Sequence, residues 1–238
     1  MKSAAAGCKS ARQNRGRKVP GMEFEFDYRC LARAGESVSG DSVVVRAEQG
    51  NLFAALSDGM GNGAAAGIRS ELLTSMASQL WERGMGCEQA FAGAAEGIPY
   101  DPVRDMDCAS LTALTVSAEG ELRLCERGNP AVVCFRRNEP LTLPRAGRRG
   151  GGRAYDYASR TVRPGDTLLL FSDGLERAGV GGMMRLGMGR EGLLDYLRRI
   201  SVNRLCAARI CFMLENLAVS LFEGSLPDDV SFACIRIR

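Results

Sequence analysis

The sequence predicts an α+β fold in which β-sheets pack together and helices cover them on the outside. Three observations support this prediction: apolar runs of strand length fall into two groups, segments with helical periodicity interrupt and follow them, and there is no internal repeat. A sheet with an apolar face must bury that face against another layer, which favours packed layers. With 238 residues and 45% hydrophobic content, the chain has the size of one large domain.

The first group of strands is predicted between residues 23 and 56. The sequence EFEFDYRCLA alternates between aromatic or thiol side chains and charged ones, as a half-buried strand does. The runs SVVVRA and LFAAL predict two short apolar strands, and the turn-like sequence EQGN separates them.

The period then changes, and residues 63–83 predict an amphipathic helix. Its apolar side chains recur at spacings of three and four and are Ile68, Leu72, Leu73, Met76 and Leu80. A second, weaker helix is predicted over residues 88–96.

The second group of strands is more extensive. SLTALTVS, ELRLCERG and AVVCFRR predict an antiparallel meander with turns at residues 119–120 and 128–130. GDTLLLFSDG predicts a buried strand that ends at an Asp-Gly pair. REGLLDYLRRI and RLCAARICFMLENLAVSLF are helical by period, and DVSFACIRIR closes the chain as a strand. Residues 144–153, PRAGRRGGGR, predict a solvated glycine-rich loop.

Charge is distributed unevenly along the chain. The formal net charge is +3, but residues 1–20 hold six Lys or Arg side chains and no acid, so the rest of the chain carries −3. We therefore expect residues 1–21 to form a disordered basic tail and the folded part not to bind nucleic acid. The tail lacks the apolar run of a signal peptide, and no stretch reaches the roughly 18 apolar residues of a membrane span. These features favour a cytosolic location.

The cysteine and histidine content limits the catalytic mechanisms and metal sites that this chain can have. The nine cysteines are odd in number and include no CxxC pair, and most fall inside strand-like runs, which predicts buried, reduced thiols. Examples are Cys30, Cys125, Cys134 and Cys234. The absence of histidine excludes Ser/His/Asp hydrolysis, Cys/His proteolysis and zinc sites built on histidine. A catalyst here must use carboxylates, hydroxyls, amines or metal ions.

Acidic residues recur at predicted strand ends. Asp58 and Asp173 share the context of an apolar strand followed by Ser-Asp-Gly, and Asp41, Asp228 and Asp229 directly precede other strands. Each alone fits an ordinary turn. Together they can converge at one rim of packed sheets, where they are stable as anions only if cations lie among them. Carboxylate oxygens suit hard ions such as Mg²⁺ or Mn²⁺.

The segments SGDS, SDGMGNG, SDGL and DDVS, in this order, resemble the metal-dependent PPM (protein phosphatase 2C) class of serine/threonine phosphatases. Within that class they resemble the bacterial branch typified by the phosphatase domain of stage II sporulation protein E. The resemblance runs from about Glu23 to Arg238 and includes residues 105–133. It implies a phosphatase domain over residues 22–238, folded as a four-layer αββα sandwich with two central antiparallel sheets flanked by helices.

The resemblance also implies a site with two Mn²⁺ or Mg²⁺ ions. Asp41 and Asp58 would be ligands, with Asp58 bridging the ions and Gly59 contributing its carbonyl group. Asp173 and Asp228 would form the second wall, and catalysis would rest on Asp58 and Asp173. Asp229 stands where many relatives have Asn, so it would be a supporting residue or an alternative ligand. Met60 replaces a histidine that several eukaryotic members use as general acid, which leaves protonation of the leaving oxygen unassigned.

The implied activity is hydrolysis of phosphoserine on a small anti-anti-sigma (STAS-type) protein, by attack of a water that bridges the two ions. The predicted helices at 64–83 and 88–96 would be either the switch elements of this branch or ordinary covering helices. Relatives often carry an upstream membrane or regulatory region, so this chain would be a stand-alone domain or the cytosolic part of a longer membrane-attached protein. Its oligomeric state stays open, with a homodimer among the options.

Three other interpretations remain. A catalytically weak or dead phosphatase-like scaffold would keep the fold and lose ligands, although all the acidic positions are present. A nucleic-acid binder would use the basic tail and the arginines of residues 145–153, with binding that falls steeply with salt. A phosphohydrolase with an Asp nucleophile would use Asp105 and Asp107, which no buried strand precedes. Met183, Met184 and Met188 are assigned either to a flexible flap or to core and loop filling.

Overall fold

The computed structural model describes residues 22–129, 132–150, 153–180 and 187–238. The predicted basic tail, Pro130 of the predicted turn, and Met183 and Met184 of the methionine-rich segment lie outside these ranges. Within the described residues the strands are β1 Phe24–Leu31, β2 Asp41–Glu48, β3 Asn51–Asp58, β4 Tyr100–Asp101, β5 Met106–Asp107, β6 Leu111–Val116, β7 Glu121–Arg127, β8 Val133–Arg136, β9 Glu139–Leu141, β10 Ala146–Gly150, β11 Arg153–Thr161, β12 Thr167–Phe171 and β13 Val230–Ile237. The α-helices are α1 Gly63–Glu82, α2 Cys87–Ala95, α3 Asp173–Glu176, α4 Gly189–Arg199 and α5 Ala207–Leu221, and a 3-10 turn spans Val202–Arg204.

Two antiparallel sheets form the centre of the molecule. One has the strand order β1-β13-β12-β8-β9, and the other has the order β10-β11-β7-β6-β3-β2. Apolar side chains from both sheets pack between them, including Leu52 and Leu114 from the longer sheet and Leu168 and Ile235 from the shorter one. Helices α3, α4 and α5 cover the outer face of the β13 sheet. Helices α1 and α2 cover the outer face of the β3 sheet. The predicted four-layer αββα sandwich is therefore confirmed.

The sequences of the central strands are nearly continuous apolar runs because both faces of these strands are buried. Along β3, Leu52 and Leu56 point between the sheets, whereas Phe53 packs under the helices. Along β13, Phe232 packs toward the helices and Ala233 toward the other sheet. Alternate side chains of a strand point to opposite faces, so a strand that has a layer on each side must be apolar at every position.

Two strand predictions are wrong. The third strand of the predicted meander, β8, leaves the β6–β7 sheet and pairs with β12 in the other sheet. The predicted glycine-rich loop at residues 144–153 instead contributes the edge strand β10, which pairs with β11. In both cases the local sequence is compatible with an extended chain, and the partner strand, which is distant in sequence, decides the outcome.

Helix α1 confirms the predicted element and part of the predicted face. Leu73 is buried and Met76 packs against the core under the helix, but Ile68 and Leu72 are 68% and 55% exposed. The rest of the buried side is made of smaller residues, which include Ala66, Ser70, Thr74 and Ala77. Small side chains allow the helix to approach the sheet closely, so the larger Ile68 and Leu72 are left outside.

The cysteine prediction is confirmed for most positions. The eight cysteines in the described part of the chain are free thiols, and Cys125, Cys134 and Cys234 are buried. Cys30 is an exception, because it is exposed on β1, and Cys206 is exposed as well. No described helix has both the length and the apolar character needed to cross a membrane.

Phe53 is fully buried and stacks on Trp81, with 5.5 Å between the ring centroids. We expect Phe53→Ala to lower the free energy of unfolding by about 3–5 kcal/mol, because it leaves a cavity between β3 and α1. Urea unfolding followed by Trp81 fluorescence, confirmed by circular dichroism, measures the change. Phe212→Ala is the control, since Phe212 is 49% exposed on α5 and should cost under about 1 kcal/mol. Equal effects of the two substitutions would contradict the layer assignment.

Candidate metal centre

The first wall of the site is a strand pair. Strands β2 and β3 form a hairpin in which Asp41, the first residue of β2, is paired directly with Asp58, the last residue of β3. Residues that face each other in an antiparallel pair point to the same side, so the two carboxyl groups are held together. The turn at residues 49–50 fixes this register, and Gly50 has a φ of +77° there, a conformation that favours glycine.

The second wall comes from the other sheet. Asp173 follows β12, and Asp228 and Asp229 precede β13, which is the neighbour of β12. Ser172 and Ser231 join these two strand ends, because the amide of Ser172 donates to the carbonyl of Ser231 and the amide of Ser231 donates to the hydroxyl of Ser172. The predicted acidic residues therefore meet at one rim of the two packed sheets.

Asp229 connects the two walls. Its Oδ1 accepts a hydrogen bond from the amide of Arg33 at 2.9 Å, and its Oδ2 accepts one from the amide of Gly40 at 2.9 Å. The residue is buried, with 5% exposure. Both carboxylate oxygens are thus engaged with the segment that leads into β2, which favours the supporting role for Asp229 over the ligand role.

Glycines let the walls approach closely. A Cβ atom on Gly59 would lie 2.6 Å from the carbonyl oxygen of Ala66 and 2.8 Å from that of Gly40. A Cβ atom on Gly40 would lie 2.8 Å from Oδ2 of Asp229. Real Cβ contacts are longer than this, so the loop after Asp58, the start of α1 and the start of β2 can pack together only with glycine at these positions.

Crowding and burial shift the acids toward their neutral forms. Burial raises the pKa of Asp41 to about 8, and the negative charge of Asp58 adds to the shift. Burial also raises the pKa of Asp58 to about 7, with further contributions from the charges of Asp173, Asp228 and Asp229. The pKa of Asp173 is raised by burial as well, although the positive charge of Arg177 opposes that shift. The pKa of Asp58, on the first wall, is therefore raised by the charges of the acids on the second wall.

Arg177 is a functional candidate that the sequence analysis missed. Its guanidinium lies 3.2 Å from Oδ2 of Asp173 and 3.7 Å from Oδ2 of Asp228. The spacing of four residues from Asp173 on a helix is the signal that could have found it. In the described parts of the chain, no three carboxyl or thiol groups are close enough to share one ion.

The residues nevertheless fit a divalent cation. Oδ2 of Asp41 is buried and has no hydrogen-bond partner. A buried carboxylate oxygen without a partner is costly unless a positive charge satisfies it. The donor set consists of carboxylate oxygens, which Mg²⁺ and Mn²⁺ prefer. Asp41 and Asp58 would hold such an ion, and Asp173 and Asp228 would complete the site once Arg177 turns away.

A cavity of about 340 Å³ opens beside the acids. Asp58 and Asp173 line one part of it, and Met60, Met106 and Arg127 line another. Asp107, also in the lining, forms ion pairs with both Arg127 and Arg153. Asp105 lies apart from the cavity lining and accepts a hydrogen bond from the hydroxyl of Tyr100. The two acids considered for an Asp nucleophile are therefore engaged with other side chains.

Comparisons with known proteins bear on the family and the fold of the chain. The family model described as Stage II sporulation protein E (SpoIIE) matches residues 48–238. No curated protein matches the chain. A solved structure of the PP2C phosphatase domain and a fragment of the regulatory domain of SpoIIE from Bacillus subtilis is 21% identical, with a TM-score of 0.73 over 92% of this chain and 63% of that one. This chain therefore spans less than two thirds of that structure.

Two further structures share the fold. The RsbU and RsbW domains of a Mycobacterium tuberculosis protein are 19% identical, with a TM-score of 0.69, over 92% of this chain and 61% of that one. The catalytic domain of the serine/threonine protein phosphatase PstP, solved with two manganese ions, is 19% identical, with a TM-score of 0.62, over 90% of this chain and 99% of that one.

The raised pKa values predict an unusual pH dependence of stability in the metal-free protein. The folded state keeps Asp41 and Asp58 protonated at pH values where the unfolded chain, with an ordinary pKa of 3.8, does not. Stability should therefore fall as the pH rises from about 4 to about 8. Urea unfolding in EDTA across this range measures the effect. Asp41→Asn should flatten the slope, because the paired carboxyl groups no longer compete. A slope that is unchanged in this variant would contradict the crowding.

The bonds of Asp229 predict a larger structural role than that of Asp228. Asp229→Ala leaves the amides of Arg33 and Gly40 without an acceptor, so we expect a loss of about 2 kcal/mol in the free energy of unfolding. Asp228→Ala is the matched control, because its side chain is 43% exposed and accepts a bond from the amide of the adjacent Asp229, so it should lower stability by less than about 1 kcal/mol. Measurements at pH 6 in EDTA keep Asp41 mostly protonated. Equal stabilities of the two variants would contradict the assignment.

Proposed function

The chain belongs to the stage II sporulation protein E (SpoIIE) family, and from this premise we propose that it is a metal-dependent protein phosphatase that hydrolyses phosphoserine. The observation that carries the proposal is the pair of the buried Asp41 and the half-buried Asp58. Oδ2 of Asp41 has no hydrogen-bond partner, and the charges of acids from the second sheet act on Asp58. Mn²⁺ or Mg²⁺ is the cofactor class that this donor set favours. The likeness to a manganese-containing phosphatase catalytic domain supports two ions.

Different residues of the chain would bind the metal ions and the substrate. Asp41, Asp58, Asp173 and Asp228 would hold the ions, with the Gly59 carbonyl as a further ligand. When bound, two divalent cations activate a water molecule at neutral pH and neutralise the charge on the phosphoryl oxygens. The cavity beside Asp58 and Asp173 would accept the phosphoserine side chain and orient it toward the acids. Met60 lines this cavity and has no proton to donate, so the leaving oxygen takes its proton from another source.

We further propose that the substrate is a phosphorylated STAS-type anti-anti-sigma protein. Membership of the SpoIIE family and the likeness to a chain that carries RsbU and RsbW domains support a regulatory protein as partner. A cytoplasmic location fits the free thiols of the eight described cysteines, because such thiols persist in a reducing compartment.

Helix α1 is placed to act as a switch element. Its residue Ala66 fills the space where Gly59 lacks a side chain, so a shift of α1 would move the loop that holds Asp58 and Gly59. On its outer side, the exposed Ile68 and Leu72 offer an apolar stripe. A second copy of this chain that packed on the stripe would couple dimerisation to the metal loop.

Phosphate release tests the proposed function. We expect turnover of a phosphoserine peptide and of p-nitrophenyl phosphate with Mn²⁺ or Mg²⁺, none in EDTA, and less than about one hundredth of wild-type turnover in Asp58→Asn and Asp173→Asn. The matched control is Asp195→Asn, since Asp195 is an exposed acid on α4 that pairs with Arg198. Full activity in EDTA would refute the metal mechanism. Metal binding without turnover would identify a scaffold.

A further inference from the structure

The hairpin of β4 and β5, residues 100–107, exposes apolar side chains beside the site. Val103 is 91% exposed, and Tyr100 and Met106 are 49% and 48% exposed. Clusters of large exposed apolar side chains on one short segment mark interaction sites more often than isolated ones do. None of these three side chains is needed to fill the core.

The hairpin is held in place before any partner arrives. Oδ1 of Asp101 accepts hydrogen bonds from the amides of Val103 at 2.9 Å and Arg104 at 3.2 Å, which fixes the turn. At the other end, Asp107 forms ion pairs with Arg127 of β7 and Arg153 of β11. A surface that is already ordered loses little conformational entropy on binding, which favours recognition.

The hairpin is also joined to the loop that follows Asp58. The amide of Met60 donates to the carbonyl of Cys108 at 2.9 Å, and the amide of Ser110 donates to the carbonyl of Asp58 at 2.8 Å. Met106 lines the cavity that Asp58 and Asp173 also line. The hairpin therefore lies beside the cavity that would accept the phosphoserine.

Charge balance indicates what kind of segment fits. Asp101, Asp105 and Asp107 carry three negative charges, and Arg104, Arg127 and Arg153, which lie in or against the hairpin, carry three positive ones. These charges balance and most of them pair with one another, so the surface has no net attraction for a segment of either sign. Its exposed apolar side chains are the feature available for recognition.

We propose that Tyr100, Val103 and Met106 form a docking surface for apolar residues that flank the phosphoserine of the protein substrate. This inference rests on the proposed function and adds a substrate class: segments in which the phosphoserine has apolar neighbours. Binding of the flank on the hairpin lowers KM and leaves the chemistry at the acids unchanged.

Two synthetic peptides test the proposal. Each carries one phosphoserine, with leucine at positions −3, −2, +2 and +3 in the first and serine at those positions in the second. We expect wild-type protein with Mn²⁺ to prefer the leucine peptide by about ten-fold in kcat/KM, with the difference in KM. Val103→Asp should abolish this preference. Val219→Asp should retain it, because Val219 is an exposed valine on the outer helix α5.

The outcomes separate the inference from the proposed function. Equal kcat/KM for the two peptides in wild-type protein, with p-nitrophenyl phosphate still hydrolysed, overturns the docking surface and leaves the phosphatase standing. Unchanged preference in Val103→Asp also overturns it. Failure to hydrolyse any of the three substrates with Mn²⁺ or Mg²⁺ refutes the phosphatase and the docking surface together. A urea unfolding midpoint equal to that of wild type shows that Val103→Asp is folded.

Discussion

Repulsion between crowded carboxyl groups is the interaction on which the rest of this structure depends. The fold brings five acids to one rim, and their charges are accommodated in three different ways. Backbone amides satisfy Asp229. The guanidinium of Arg177 lies between Asp173 and Asp228. Asp41 and Asp58 have no such counter-charge and respond with raised pKa values. The pair that lacks a counter-charge is the pair where a cation stabilises the fold most.

The surrounding sandwich makes this crowding tolerable. The acids sit at strand ends, and their strands are anchored by apolar contacts on both faces over most of their length. Because these contacts are close-packed, the strand ends cannot move apart without loosening the strands behind them. The acids therefore stay close together although they repel each other.

Much of this arrangement could be predicted from the sequence, for physical reasons that differ between elements. The strands at LFAAL and SFACI could be predicted because both of their faces are apolar. Asp58 and Asp173 could be predicted as site residues because Asp-Gly pairs mark strand ends. The sheet to which β8 belongs could not be predicted, because strands that are neighbours in sequence usually pair, whereas β8 pairs with the distant β12. On helix α1, Ile68 and Leu72 were predicted to be buried because they match the helical period, but both side chains are exposed. Arg177 could have been found from its spacing of four residues to Asp173. The β4–β5 hairpin could not, because its position depends on ion pairs of Asp107 with Arg127 and Arg153, which are distant in sequence.

The loop after Asp58 brings these features together. On one side, the missing Cβ of Gly59 admits the carbonyl of Ala66 at the start of α1. On the other, the amide of Met60 bonds to Cys108 at the base of the β4–β5 hairpin. Between them, Asp58 pairs with Asp41 and faces the second wall. Close-packed contacts of this kind transmit displacements, because neither neighbour can move without leaving a void or creating a clash. A partner that shifted α1 would therefore act on the residues that would hold the metal, whereas a substrate segment would settle on the preformed hairpin beside those residues and leave them in place.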